Sequence, residues 1–475
     1  MIGRRSKQYE MDMCSGSLAG KILLFSLPLM LSSLLQLLFN AADVIVVGRY
    51  AAMPTQAVAA VGSNGALINL TINLFMGISV GANVVVAQDL GAGRGERVGR
   101  SIETAITLAL VSGFALSVFG VICVRQLLEW MSCPADVIDL STQYMRIYFV
   151  GMPGNLVYNF GAALLRAKGD TQRPLSYLTA AGVINVILNL ILVIGLHLDV
   201  AGVAIATVVS QYVSAALVVW CLTKESGPFH LDLRQLKMEK AALVRMMRIG
   251  LPAGFQGILF SISNVIIQSA LNSFGNSALI AGASASASIE MFVYSGDNAI
   301  SQAALTFVSQ NYGAGKCRRV DRAVVLCTVY MVVFQLVFGN LAYFFGAPLA
   351  GLYVPGQEEA ISFAVARMVF LLRLQFINGT MDIGASVLRG LGCSFSPMVV
   401  TLIGVCVFRV FWVYTVFPVV HTPESLYISY PISWTVTTVV LLVIFLVLRK
   451  KLYARMQRLT SVRTAESDLS DGGNG

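Results

Sequence analysis

Charged residues are scarce in this chain of 475 residues. Asp, Glu, Lys and Arg make up only 12% of it, whereas hydrophobic residues make up 56% and the mean hydropathy is +0.75. Soluble globular domains carry about 25% charged residues. A soluble protein of this length is therefore excluded, because it could not cover so much apolar surface with a charged shell. The composition predicts a protein whose surface faces lipid.

Patterns of metal and nucleotide chemistry are also missing. The eight cysteines include no Cys-x-x-Cys pair, and the three histidines are dispersed, so we expect no disulfide framework, metal cluster or bound cofactor. A phosphate-binding loop would need Gly-x-x-x-x-Gly-Lys-Ser/Thr, but Gln310 stands at the first glycine position and Cys317 follows Lys316. ATP hydrolysis is excluded, and we expect a protein that is not an enzyme.

Twelve apolar runs are each long enough to cross the hydrocarbon core of a bilayer as a helix, which takes about 20 residues. We number them spans 1–12, and they lie at 20–48, 58–86, 102–123, 138–165, 175–196, 200–222, 242–271, 279–308, 321–345, 359–388, 396–418 and 427–448. Span 1 is too long, and too interrupted by Pro28, for a cleaved signal peptide. The sequence predicts an all-α, multi-pass membrane protein.

The two halves of the chain repeat each other. Residues 87–94 recur at 309–316, residues 165–169 recur at 388–392, and Leu27-Pro28 recurs as Leu251-Pro252, at offsets of 222, 223 and 224. Nearly constant offsets indicate duplication of a whole segment. In apolar chains such a repeat is typical of secondary transporters, whose two halves enclose a binding site.

Lys and Arg concentrate in alternate loops, which accounts for the net charge of +9 without a nucleic-acid partner. By the positive-inside rule, both termini and the central linker are cytoplasmic. Each half crosses the membrane an even number of times, so the halves are parallel repeats. We predict a cytoplasmic N-terminal segment, two six-helix bundles joined by a cytoplasmic linker, and a cytoplasmic tail that is disordered from Tyr453. These segments lie at 1–19, 20–222, 223–241, 242–448 and 449–475.

Span 1 carries the clearest candidate site. A charge at membrane depth costs about 2.5 kcal/mol or more on insertion scales, which makes it a functional candidate. Gln36, Asn40 and Asp43 are spaced i, i+4 and i+7 and share one helix face, while Pro28 allows a bend. A carboxylate on such a face suits a site that binds and releases a proton or Na⁺. The alternative is an Asp near the helix end, with amides that bond neighbouring helices.

Other apolar runs hold polar residues that could line a cavity, solvate a cation or join helices. They are Asn155, Asn159, Asn185, Asn189, Thr207, Glu290, Asp297, Asn378 and Asp382. The repeat aligns Asn155 with Asn378 and Asn159 with Asp382, whereas the counterpart of Asp43 is Ile267. The halves therefore share a scaffold but not a chemistry. Four arginines are available to pair with the acids, and they are Arg146, Arg367, Arg373 and Arg409.

These features together resemble the multidrug and toxic compound extrusion (MATE) family. The motifs are Leu-Pro at the start of spans 1 and 7, Asp43-x-x-x-x-Gly48-Arg49, and the paired Gly-Ala-Gly and Leu-Arg-x-x-Gly turns. The resemblance covers Leu18 to Lys450. It implies efflux of amphipathic, often cationic organic compounds, driven by a cation gradient.

Two branches of that family differ in their coupling residues. The chain is more similar to the DNA-damage-inducible F-like branch, and the resemblance implies a coupling site at Asp43, Gln36, Asn185, Asn189 and Thr207, to which the shared helix face adds Asn40. Asn189 stands where that branch has a second carboxylate. The sodium-driven norfloxacin-pump branch needs acids in spans 7 and 10, where this chain has Phe260-Ser261 and Asn378, with Asp382 one turn on. The coupling ion stays open between H⁺ and Na⁺, with Asp43 as the candidate Na⁺ ligand.

We therefore expect a proton- or sodium-coupled multidrug antiporter of the cell membrane that is a monomer. Its partners would be small-molecule drugs or toxins and membrane lipids. The candidates for residues that line the substrate cavity are Asn155, Asn159, Glu290, Asp297, Asn378 and Asp382. The alternative is a flippase for lipid-linked saccharides or other amphipathic lipids, although related flippases usually carry two extra helices and a more cationic cavity. Neither a channel filter nor a catalytic cluster is present in the sequence.

Overall fold

The computed structural model describes residues 10–51, 54–131 and 133–471. Every regular element in these ranges is a helix, which confirms the predicted all-α class. Arg4, Arg5 and Lys7 of the predicted cytoplasmic segment 1–19 lie outside the described residues.

We number the α-helices of the described residues in chain order. They are α1 (Leu18–Tyr50), α2 (Pro54–Ser63), α3 (Gly65–Gly91), α4 (Gly95–Trp130), α5 (Ile138–Val150), α6 (Met152–Lys168), α7 (Gln172–Asn189), α8 (Asp199–Lys224), α9 (Lys240–Asn272), α10 (Ser277–Gly313), α11 (Cys317–Phe344), α12 (Gly346–Tyr353), α13 (Glu358–Leu371), α14 (Gln375–Gly390), α15 (Phe395–Thr401), α16 (Phe408–Thr415) and α17 (Pro423–Asp471). A π-helical segment, Leu190–Gly195, continues α7, and a second, Leu402–Val407, joins α15 to α16.

Ten helical segments of the described chain are long and apolar enough to cross a membrane. Helices α13 and α14 make an eleventh candidate, bent by 47° between them. Predicted span 4 is divided at Gly151 into α5 and α6, since Pro153 in the first turn of α6 cannot donate a backbone hydrogen bond to the preceding turn. Predicted span 2 is divided at Asn64 between α2 and α3. The chain is a multi-pass membrane protein.

The tail differs from the sequence expectation. We predicted disorder from Tyr453, but α17 continues to Asp471. Leu, Arg, Lys, Met and Gln are frequent after Arg449, and all five are good helix formers. The prediction of disorder was therefore wrong over the described part of the tail.

The chain divides into two compact units. The first unit contains the described residues of Met1–Met11, Leu27–Val86 and Arg94–Gly254, and the second contains those of Asp12–Ser26, Ala87–Gly93 and Phe255–Gly475. The units differ from the predicted bundles in three places. Residues 12–26 and 87–93 belong to the second unit, and residues 242–254 of the predicted second bundle belong to the first.

One close approach in the first unit brings α1 and α7 together. A Cβ atom at Gly182 of α7 would overlap the ring of Phe39 on α1, so the two helices pack at this distance because position 182 has no side chain. The apolar core beside it includes Val46 and Val47 of α1, Tyr148 of α5 and Val203 of α8. This packing places the polar turn of α1 against α7 and α8.

Candidate ion-coupling site

Asp43 is the centre of a buried hydrogen-bond network in the first unit. Its side chain is 8% exposed. Asn189 Nδ2 donates to Asp43 Oδ1 at 2.5 Å, and Thr207 Oγ1 donates to Oδ2 at 3.5 Å. Each carboxylate oxygen thus meets a donor, and both donors are uncharged. The contacts support the anion without neutralising its charge.

Asn185 links the two donors. Its Oδ1 accepts from Asn189 Nδ2 at 3.2 Å, and its Nδ2 donates to Thr207 Oγ1 at 3.4 Å. The spacing of four residues puts both amides on one face of α7. Of the six predicted coupling residues, the structure therefore brings together Asp43, Asn185, Asn189 and Thr207.

Thr207 is the weaker of the two donors to Asp43. Its hydroxyl also lies 3.0 Å from the carbonyl oxygen of Val203, and a hydroxyl has only one proton to donate. The contact of 3.5 Å with Asp43 is at the outer limit for a hydrogen bond. Asn189 is therefore the principal donor to the carboxylate.

Asn189 also presents an acceptor without a partner. The residue is fully buried, and its Oδ1 has no hydrogen-bond partner among the described residues. Nearly all buried polar atoms in proteins are hydrogen-bonded, so an exception calls for an explanation. The π-helical segment begins at the next residue, Leu190, and such segments are frequent at functional sites. The carboxylate of Asp43 with this free oxygen has the chemistry to take up a proton or a small cation.

Two tyrosines near Asp43 were missed by the sequence analysis. Tyr144 and Tyr148 of α5 are buried, their rings are stacked with centroids 6.1 Å apart, and both interact electrostatically with Asp43. Their spacing of four residues was the available signal. Tyrosines at that spacing also occur in ordinary helix cores, so the spacing alone does not indicate that they lie near a functional acid.

Gln36 and Asn40 take no part in the described hydrogen bonds of the network. Both are exposed on α1, whereas Asp43 is buried. The donors from α7 and α8 contact α1 at the turn that holds Asp43. Gln36 and Asn40 lie on earlier turns of the same helix face, where these two donors make no described contact. Their assignment to ion coupling stays a prediction.

The acids predicted in the second unit differ in their partners. Glu290 pairs with Arg367 at 3.0 Å. Asp382 interacts with Arg389 and Tyr294, although Arg389 was not among the arginines expected to pair. Asp297 is fully buried and accepts a hydrogen bond from Gln335. Of the three acids, Glu290 has an ion-pair partner, and Asp382 is influenced by the charge of Arg389 without an ion pair between them among the described contacts.

The remaining predicted residues lie in both units. Asn159 Nδ2 donates to Asn155 Oδ1 at 2.8 Å within α6, and Asn378 of α14 is 9% exposed. Arg373 lies 5.1 Å from the ring centroid of Tyr343, so it stacks on an aromatic ring. The described residues contain no group of three or more His, Cys, Asp or Glu arranged to hold a metal ion.

Apolar helices of membrane-spanning length, a duplicated sequence and a buried acid held by neutral donors define a membrane transporter with two related halves. The sequence profile of the MatE family matches residues 28–191 and 252–415. The two matched ranges begin at Pro28 and Pro252, the prolines of the repeated Leu-Pro motif. The chain belongs to the MatE family, as the sequence resemblance predicted.

Relatives extend over most of the chain. It is 29% identical to the probable multidrug resistance protein YoeA of Bacillus subtilis (strain 168), over 80% of this chain and 83% of that protein. It is 26% identical to the FAD transporter of Shewanella oneidensis, over 82% and 85% respectively. The structure of a MOP superfamily transporter from Pyrococcus furiosus matches with a TM-score of 0.85 and 20% identity, over 93% of this chain and 98% of the other. That likeness shows a shared fold.

Proposed function

We propose that this protein is a multidrug efflux antiporter, which exports amphipathic organic compounds in exchange for H⁺ or Na⁺ at Asp43. The observation that carries the proposal is the buried carboxylate of Asp43, whose hydrogen-bond donors, Asn189 and Thr207, are both neutral. A buried charge without an ionic partner is unfavourable, so binding of a proton or a cation is favoured there. The neutral donors then stabilise the carboxylate once the ion has left.

Ion exchange at such a site couples naturally to transport of a cationic compound. The Asp43 site carries one negative charge when the coupling ion is absent and none when a proton or Na⁺ is bound. A cationic substrate is attracted to the first state and not to the second, so the two ligands compete through charge. The distribution of Lys and Arg supports a location in the cell membrane with both termini in the cytoplasm.

The names of relatives support organic substrates of two kinds. Several are named multidrug resistance or multidrug export proteins, which favours a broad range of amphipathic compounds. The name of one relative, the FAD transporter, favours a second candidate substrate for this chain, an anionic aromatic compound. Arg409 in the second unit has side-chain chemistry that suits such a substrate. It is 2% exposed, it lies 3.9 Å from the ring centroid of Tyr430, and one of its guanidinium nitrogens has no hydrogen-bond partner among the described residues.

Transport in inverted membrane vesicles tests the proposal. A pH gradient and a Na⁺ gradient are imposed separately, and uptake of a lipophilic cationic dye is compared with uptake of FAD. We expect dye uptake that needs one of the two gradients and that is lost in the variant Asp43→Asn. Gradient-independent uptake, or equal uptake by wild type and Asp43→Asn, would contradict antiport at Asp43. Uptake of FAD without uptake of the dye would favour the anionic substrate.

A further inference from the structure

Arg409 is a buried cation in the second unit. It lies inside Phe395–Thr415, a helical segment that is long and apolar enough to cross a membrane, and the residue is only 2% exposed. The π-helical segment Leu402–Val407 ends two residues before it. Charged residues inside such segments are rare and mark functional sites by default, and π-helical segments are frequent at functional sites. Arg409 is therefore a candidate ligand-binding residue.

The guanidinium group of Arg409 has more donors than partners. Its Nε donates to Ser433 Oγ at 3.1 Å, which is the only hydrogen bond of this side chain among the described residues. Nη2 is buried and has no partner there. A guanidinium carries five N–H donors and no acceptor, so the edge formed by Nη1 and Nη2 keeps four donors unused. Such an edge matches the paired oxygens of a carboxylate or phosphate group.

The charge of Arg409 is also unpaired. It forms no ion pair among the described residues. Glu290 is the acid that acts on it electrostatically, but the carboxylate of Glu290 pairs with Arg367 at 3.0 Å. Two arginines and one glutamate leave one positive charge without a partner. Arginine stays protonated in proteins, and a buried charge without a counter-ion is strongly unfavourable, so binding of an anion is favoured.

Aromatic rings of α17 hold the guanidinium group in place. Arg409 Cζ lies 3.9 Å from the ring centroid of Tyr430 and 5.8 Å from that of Trp434. Stacking of this kind positions the guanidinium plane and leaves its N–H edge for hydrogen bonds. Tyr427 lies one turn before Tyr430 on the same helix face, and its buried hydroxyl has no partner among the described residues. That hydroxyl is a further donor for an anion.

We propose that Arg409 and Tyr427 bind the phosphate or carboxylate group of a water-soluble organic anion. Arg409 is enclosed by protein, which favours a compound that enters the second unit over a lipid headgroup at its surface. The proposal rests on the proposed function in one respect, that the anion is a transported compound. Binding itself does not depend on ion exchange at Asp43.

Binding of FMN to the purified full-length protein tests the site. Riboflavin is the matched ligand, because it differs from FMN only in lacking the phosphate group. We expect FMN, but not riboflavin, to raise the melting temperature in a saturable way. Equal effects of the two compounds, no effect of FMN, or an effect confined to micelles that contain phosphatidylglycerol would overturn the proposal. No gradient is applied, so failure of gradient-driven dye uptake contradicts the antiport and leaves this site standing.

The variant Arg409→Met removes the charge and keeps an apolar side chain in the same place. We expect it to fold, because the charge it removes is buried and unpaired, and to weaken FMN binding at least about tenfold. Arg373→Met is the matched control, since Arg373 also stacks on a tyrosine ring but is exposed, and it should bind FMN as wild type does. Equal FMN affinity of Arg409→Met and wild type would overturn the site.

Two conservative variants decide the matter if Arg409→Met does not fold. Arg409→Lys keeps the charge and removes the planar pair of donors, and Tyr427→Phe removes only a hydroxyl. We expect each to weaken FMN binding about tenfold while the affinity for riboflavin stays unchanged. Wild-type affinity for FMN in both variants would show that these side chains do not contact the phosphate group, and would overturn the proposal.

Discussion

Asn189 donates a hydrogen bond of 2.5 Å to Asp43 across 146 positions of the sequence. The other members of this network in the described chain, Asn185 and Thr207, are uncharged as well. An acid paired with arginine would be held permanently as a carboxylate. An acid with neutral donors can instead alternate between ion-bound and ion-free states, which is what a coupling site requires.

Replacement of Asp43 by Asn should abolish gradient-driven efflux and leave the protein folded. The amide cannot release a proton or hold a cation by charge, and removal of a buried charge does not itself destabilise the helix. Dye efflux from cells and protein levels in the membrane measure both effects. Asp139→Asn is the matched control, because the side chain of Asp139 is 79% exposed. Full efflux by Asp43→Asn at normal protein levels would rule out the assignment.

The two donors to Asp43 should differ in importance. Asn189→Leu removes the shorter bond to a charged acceptor, a type of bond that contributes about 1.5–3 kcal/mol. We expect the initial rate of efflux to fall about tenfold or more. Thr207→Val keeps the side-chain shape and removes the contact of 3.5 Å between the Thr207 hydroxyl and Asp43. The backbone carbonyl of Val203 competes for the same hydroxyl proton, so the rate should fall much less. The reverse order of effects would contradict the assignment of Asn189 as the principal donor.

The network around Asp43 also bears on stoichiometry. Position 189 holds an amide where the resemblance implies a second acid, so the first unit has one titrating carboxylate in this network. If protons drive efflux, we expect one proton per cycle from this site. Measurement of the number of protons moved per substrate in proteoliposomes checks this value. A value near two would indicate a second acid, and Asp297 would be the first to test because no cation pairs with it among its described contacts.

Glu225, just after α8, should make stability depend on pH. Burial by itself raises the pKa of Glu225, but hydrogen bonds and charge interactions with Lys168 and Arg173 outweigh it and lower that pKa below its usual value. The stabilisation is then complete above the unfolded-state pKa of about 4.3 and is lost as the pH falls through the lower folded-state pKa. Melting temperature measured from neutral pH down to this range should show the loss.

The variant Glu225→Gln separates this effect from general acid unfolding. It removes the buried partner of Lys168, whereas Arg173 keeps the buried Asp170 as a partner. Loss of a buried partner typically destabilises by about 3–5 kcal/mol, so we expect a loss of up to this size and a flatter acidic part of the pH curve. Glu10→Gln is the control, since Glu10 also pairs with Lys168 but its side chain is 33% exposed and such pairs contribute about 0–1 kcal/mol. Equal losses in the two variants would contradict the role of burial.

Glycine should be required where the two copies of the repeated turn meet. A Cβ atom at Gly91 would overlap the carbonyl group of Gln310, and one at Gly313 would overlap that of Gln88. Gly91→Ala and Gly313→Ala should each lower stability by about 1–3 kcal/mol, the usual effect of overpacking. Gly20→Ala is the control, because a Cβ atom there would meet nothing within 4 Å beyond its own helix among the described residues. This variant should leave the melting temperature unchanged or raise it.

Much of the fold was predictable from the sequence for a simple reason. A bilayer requires apolar helices of a minimum length, so the positions of the helices followed from hydropathy, and the duplication followed from matching motifs. The cost of a charge at membrane depth likewise identified Asp43, Glu290, Asp297 and Asp382 as candidates before any contact was known. The break at Gly151 and the helical tail were not predicted, because each depends on local backbone geometry that hydropathy does not report.

The sequence by itself determined that this is a duplicated, multi-pass helical protein with a few acids inside its apolar runs. Only the tertiary structure decided which polar side chains meet. It joined Asp43 to Asn189 and Thr207, paired Glu290 with Arg367, and placed Gln335 on Asp297. Helical periodicity tells which residues share a face, but the partner of a face depends on how the helices pack, and that packing is set by contacts between residues far apart in the chain.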